Sequence, residues 1–112
     1  MKRGQIWWAE LPDPQASEPG YKRPVLIVQA DEFNSSRIST VIVVSLTSNL
    51  KLADAPGNVY ISKTKTDLSK DSIANVSQII TLDKDFLTEQ IGALDNFTLR
   101  QIDAGLQLVL SV

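Results

Sequence analysis

Residues 40–46 read TVIVVSL. Apolar side chains at both odd and even positions make this a strand buried on both faces, because successive strand side chains point to opposite sides. The other apolar runs are equally short. QIWWAEL (5–11) reads as a first strand from its aromatic and β-favouring content, and RPVLIVQ (23–29) as a second. Pro24 has no N–H, which puts it at that strand's start or on an edge. VYIS (59–62), SIANVSQII (72–80) and TEQIGAL (88–94) bring the strands to six.

The stretches between them are polar or rich in proline and glycine. Residues 12–22, PDPQASEPGYK, must be a loop, and at about eleven residues it is long enough to suggest a functional one. Residues 31–39 form a polar connection. Residues 47–58 form a second long loop, with a turn at Pro56 and Gly57. Residues 63–71, KTKTDLSKD, read as a hairpin or loop tip with solvated lysines. DKDFL (83–87) suggests one helical turn capped by Asp83. Beyond it the period changes. Leu99, Ile102, Leu106 and Val109 follow helical spacing, with Asp95 or Asn96 as cap. Gly105 weakens that helix by about 1 kcal/mol against alanine. Short strands closed by one C-terminal helix predict a mainly β domain spanning 1–112, a small, partly open barrel.

Composition narrows the chemistry. The 112 residues include no cysteine, so disulfides and thiolate chemistry are excluded and a reducing compartment fits. There is no histidine, which removes the commonest metal ligand and the usual neutral-pH base together. Catalysis must use Arg, Lys, Ser, Thr, Tyr or carboxylates. No metal site and no cofactor are expected. No run approaches the length of a membrane span, so a cytoplasmic protein without a membrane partner is expected. Net charge is −2, but residues 1–65 carry eight Lys/Arg against six Asp/Glu, and residues 66–112 three against seven. An anionic partner is therefore expected on the first two thirds.

Lys22 and Arg23 stand at the mouth of an apolar strand, where core packing has no use for two cations. The residues around them are distinctive. RGQIWWAEL, SEPGYKRPVLIVQAD, VIVVSLTSNL, DSIANVSQIITLDKDFL and an amphipathic C-terminal helix occur in that order. The whole chain resembles the MazF/PemK family of toxin endoribonucleases from bacterial toxin–antitoxin pairs. The resemblance implies an SH3-like barrel of the CcdB/PemK type and a homodimer that cuts single-stranded RNA without a metal. It also implies a cognate antitoxin protein that wraps the dimer and blocks the RNA groove. By position, Arg23 matches the family's catalytic arginine and Thr47 its catalytic threonine. Ser72 matches a serine near the scissile phosphate, Glu18 and Gln78 match polar positions beside it, and Lys22 adjoins as a further substrate contact. Two positions depart from the pattern: Ser77 stands where many members carry glutamate, and Ile80 where many carry arginine.

Those residue types suit RNA cleavage. The 2′-hydroxyl attacks the adjacent phosphate, and the enzyme must orient that attack and neutralise charge developing on the phosphoryl oxygens. Arg23 can grip a phosphate bidentately. It is a poor general base, because its pKa above about 12 leaves it protonated. Thr47 can donate to a non-bridging oxygen, and Glu18 can take the 2′-OH proton. The products are a 2′,3′-cyclic phosphate and a 5′-hydroxyl, so DNA of the same sequence survives. Trp7 and Trp8 are adjacent and face opposite ways, one towards the core and the other towards a dimer contact or a stacking base. Two other readings remain open. One is a toxin of the same fold that traps DNA gyrase without chemistry. The other is an inactive relative that only binds RNA or antitoxin, which the changes at Ser77 and Ile80 would allow.

Overall fold

The computed structural model describes residues 1–11 and 22–112. In chain order these form β1 (Gln5–Glu10), β2 (Lys22–Ile27), a single turn α1 (Asp31–Asn34), β3 (Thr40–Thr47), β4 (Val59–Ile61), β5 (Ser72–Asp83), β6 (Leu87–Ala93) and α2 (Asn96–Leu110). Short 3-10 turns occupy Leu50–Asp54, Lys63–Lys65 and Lys84–Phe86. The six strands make one sheet in the order β4-β5-β3-β2-β1-β6, with every pairing antiparallel.

β3 lies inside this sheet and is apolar on both faces, as its sequence predicts. Val44 and Leu46 join Ile6, Leu26, Ala74 and Ile102 of α2 in one core. Val41 and Val43 join Ala9, Val25, Ile27, Leu82 and Leu87 in a second core on the opposite face. One helix can cover only one face, so the sheet curls into a half-barrel and covers the other face itself. Each of the buried Val, Leu and Ile side chains among them contributes roughly 1.5–3 kcal/mol. Ile42 is the exception on β3 and remains partly exposed.

β5 is longer than its sequence suggests and changes direction within its length. Val44 pairs with Ile79, yet Ser45 pairs with Asn75. Val76, Ser77 and Gln78 therefore have no partner on β3, and this three-residue bulge bends the strand. Asn58 braces the bend, its side-chain oxygen accepting from Val76 N at 3.1 Å. Thr81, Leu82 and Asp83 then pair with Ile42, Val41 and Thr40 and extend the strand past its expected end.

The predicted caps are present. Asp83 accepts from Asp85 N at 2.9 Å, and Asp95 accepts from Thr98 N at 2.7 Å to start α2. α1 was not legible, because its residues carry no apolar period. A polar network holds it: buried Asn34 donates to the Gln29 carbonyl and to Asp31, and accepts from the Gln29 amide.

Gly105 has a packing reason to be glycine. A Cβ there would run into the carbonyl of Gly57, whose own φ of +80° needs glycine. α2 thus lies directly on the backbone of the turn before β4.

Candidate active site

β2 begins at Lys22, β3 ends at Thr47 and β5 begins at Ser72. These strands are neighbours and antiparallel, so all three termini fall at the same end of the sheet. The β2–β3 register pairs Val25 with Ser45. Two residues further on, alternation returns Arg23 and Thr47 to the same face, opposite each other.

A cleft of about 380 Å³ opens at this end. Lys22, Arg23, Thr47 and Ser72 all line it, together with Trp8, Ser48, Ser69 and Lys70. Three of these side chains are cations, and no carboxylate is among the described lining residues. This described lining suits an anion, and an arginine with two lysines and several hydroxyls suits a phosphodiester.

The hydroxyls are not equivalent. Thr47 Oγ1 accepts from Asn49 N at 3.2 Å, and a hydroxyl that accepts there can still donate to a ligand. Ser72 is buried and its Oγ donates to the Lys70 carbonyl at 3.1 Å. Its proton is thus used to shape the chain at Lys70, and towards a ligand it offers lone pairs.

The wall carrying Ser69 and Lys70 is pinned from three sides. Leu68 is buried in the helix-side core. Asp71 accepts from Lys63 N at 2.8 Å, and that bond, with a second from the Tyr60 phenol, holds its carboxyl below the usual 3.8. The same carboxylate pushes the Tyr60 phenol above its usual range. Ser62 Oγ caps the 3-10 turn between them by accepting from Thr64 N.

The two tryptophans divide as their adjacency predicts. Trp7 packs on the second core and donates from Nε1 to Gln5 Oε1 at 3.0 Å. Trp8 lines the cleft, with Lys22 Nζ 5.3 Å from its ring centroid.

The remaining expected residues lie elsewhere. Gln78 is exposed on the bulge of β5 and is not among the cleft's lining residues. Glu18 lies outside the described residues. Lys70 is exposed, as expected of a solvated tip, and it also lines the cleft. The signal available was its position two residues before Ser72. Ser77 is exposed and donates to Asn75 Oδ1, while Ile80 packs against the second core, where an arginine would have no apolar role.

Comparison with known proteins gives a consistent answer. Residues 2–110 match the family described as PemK-like, MazF-like toxin of type II toxin–antitoxin system. The chain is 43% identical over 112 residues to endoribonuclease MazF6 of Mycobacterium tuberculosis, covering all of this chain and 98% of that one. It is 37% identical over 112 residues to endoribonuclease MazF of Staphylococcus saprophyticus, covering all of this chain and 92% of that one. Its fold is similar to that of an endoribonuclease solved in complex with its cognate antitoxin from a mycobacterial species. There the TM-score is 0.81 at 24% identity, over all of this chain and 96% of that one.

Proposed function

This chain belongs to the PemK-like, MazF-like family of type II toxin–antitoxin toxins, and on that premise we propose that it is an endoribonuclease toxin cutting single-stranded RNA. The observation that carries the proposal is the cleft shared by Arg23 and Thr47 at one end of the sheet. The full-length likeness to named endoribonucleases favours the nuclease over a gyrase-trapping toxin.

The chemistry follows from the side chains and uses no metal. The 2′-oxygen of the RNA bonds to phosphorus and gives up its proton, and the bond from phosphorus to the 5′-oxygen breaks as that oxygen gains one from water. Arg23 straddles two phosphoryl oxygens and stabilises the charge that grows on them. Thr47 donates to a non-bridging oxygen. Lys22 holds a neighbouring phosphate, and Ser72 keeps the Lys70 wall in place. Glu18 is the carboxylate assigned to the 2′-OH proton. Gln78 meets the RNA beyond the cleft. The apolar change at Ile80 leaves this set intact, which favours an active enzyme over an inactive relative.

A cognate antitoxin restrains the toxin by covering the cleft, and the toxin acts in the cytoplasm, where its RNA is. No described helix is long and apolar enough to cross a membrane. The working unit is a homodimer; the exposed apolar side chains Phe33, Ile42 and Leu110, which border one groove, support self-association.

The test is an oligonucleotide pair identical except for one 2′-hydroxyl at the cut site. The RNA is cleaved to a 2′,3′-cyclic phosphate, and the 2′-deoxy version stays whole. Cleavage of both, or a 3′-phosphate formed with no cyclic intermediate, contradicts the proposal.

A further inference from the structure

We propose that Trp8 is the base-stacking platform of the cleft and that Lys22 is its placeholder. In the free protein the Lys22 ammonium lies over the indole. When RNA enters, a base replaces it on the ring and the ammonium moves to a phosphate. This inference rests on the endoribonuclease reading and adds to it the way a base is held beside the scissile bond.

Four observations carry it. Trp8 is the only aromatic among the described residues lining the cleft, so it is the one π-surface there on which a base can lie. Its position is set by the ladder. It pairs with Pro24, and Lys22 sits two residues along on the same face, within reach of the ring. Trp7 cannot serve, because its indole is packed on the second core and its N–H is bonded to Gln5. Lastly, Lys22 Nζ is 5.3 Å from the Trp8 centroid, a cation–π contact on the face a base would use.

The exchange is chemically even-handed. A cation–π contact at a solvent-exposed site is weak, and base stacking on an aromatic replaces it. The displaced ammonium stays in the same cleft as Arg23. The apo contact thus covers the indole while leaving the site open to RNA.

The experiment uses the full-length protein with three RNAs: the cleaved oligonucleotide, its uncleavable 2′-O-methyl version, and a 2′-O-methyl version abasic at the nucleotides flanking the cut. Trp7→Phe isolates the Trp8 indole N–H resonance. We expect that resonance to shift with the uncleavable RNA and to stay in place with the abasic one. Trp8→Ala raises KM at least about fivefold with kcat within about threefold of wild type, and Trp8→Phe restores most of the loss. Lys22→Ala lowers the slope of log Kd against log salt by about 0.7, the loss of one single-strand phosphate contact. An unmoved Trp8 resonance at saturating RNA overturns the inference even if Trp8→Ala fails to fold. So does equal binding of the abasic RNA, or wild-type KM in Trp8→Ala. If the wild-type protein leaves the first oligonucleotide uncut, the endoribonuclease reading fails and this inference fails with it. A protein that cuts normally while Trp8 stays silent refutes the inference alone.

Discussion

Arg23 and Thr47 line one cleft at the end of the β2–β3 ladder, two residues past the paired Val25 and Ser45. They are 24 positions apart in sequence, and only the hairpin-like pairing of these two strands brings them to one cleft. An arginine beside a threonine at that point combines a bidentate cation with a neutral donor. That combination predicts how each substitution behaves. Thr47→Ala lowers kcat by about 10²–10³, the usual effect of removing one transition-state donor, while Thr47→Ser keeps most of the rate. Single-turnover cleavage at saturating RNA measures both. Equal loss in Thr47→Ser and Thr47→Ala would show that the hydroxyl is not what matters.

Arg23→Lys keeps the charge but loses the planar fork. We expect it to bind RNA with nearly the wild-type dependence on salt and to cleave at least about 100-fold more slowly. Filter binding across a salt series, paired with cleavage rates, separates the two effects. Restoration of the full rate by lysine would contradict a bidentate role.

Asp71 holds the wall that carries Lys70. Asp71→Ala removes the acceptor for the Lys63 amide and the Tyr60 phenol. Hydrogen exchange at Lys63 should speed up and KM should rise several-fold, with a smaller change in kcat. Unchanged exchange at Lys63 would show that the loop is held by Leu68 alone.

Gly105 lies against the Gly57 carbonyl. Helix propensity alone predicts that Gly105→Ala stabilises the protein by about 1 kcal/mol. The packing predicts the opposite sign, a loss of roughly 1–3 kcal/mol, because α2 must move off the turn to admit a methyl group. Thermal unfolding decides between them: a lower Tm supports the packing account, and a higher one removes it.

Acid should weaken the fold through specific carboxylates. The Arg3 amide and then the Asn34 side chain hold the Asp31 carboxyl below its usual 3.8. Bonds from the Thr98 hydroxyl and then the Thr98 amide do the same for Asp95. A carboxylate depressed in the folded state stabilises above its unfolded pKa, and that stabilisation is lost as pH falls through the folded value. Urea midpoints should therefore drop from pH 6 towards pH 3. Asp31→Asn should have a lower midpoint at pH 6 and a shallower drop. A drop as steep as that of the wild type would rule out Asp31 as a contributor.

The six strands were legible because each apolar run is short and bounded by residues that cannot continue it. Pro24 and the Pro56–Gly57 turn mark such boundaries, and the Asp83 and Asp95 caps announced the turn and helix that follow. Three features were not. α1 depends on the buried Asn34–Gln29 bonds, which no apolar period reveals. The bulge of β5 depends on Asn58 reaching Val76 from another strand's approach. Gly105 looked like a weak point in a helix until the Gly57 carbonyl gave its reason. At the cleft, the match to a family motif singled out Arg23, Thr47 and Ser72, and the cations at the mouth of β2 pointed to Lys22; these four share one cavity, whereas Gln78 from the same motif lies outside it and Glu18 lies outside the described residues. Lys70 and Trp8 were harder to read, since a lysine in a polar tip and a tryptophan in a strand acquire meaning only when the strand ends converge.

The most direct measurement is cleavage of a long single-stranded RNA in excess EDTA by the wild-type protein and by Arg23→Ala, purified identically. The wild type alone is expected to cut, at a recurring short sequence and with 2′,3′-cyclic phosphate ends. RNA left intact by both proteins, or cut equally by both, would contradict it.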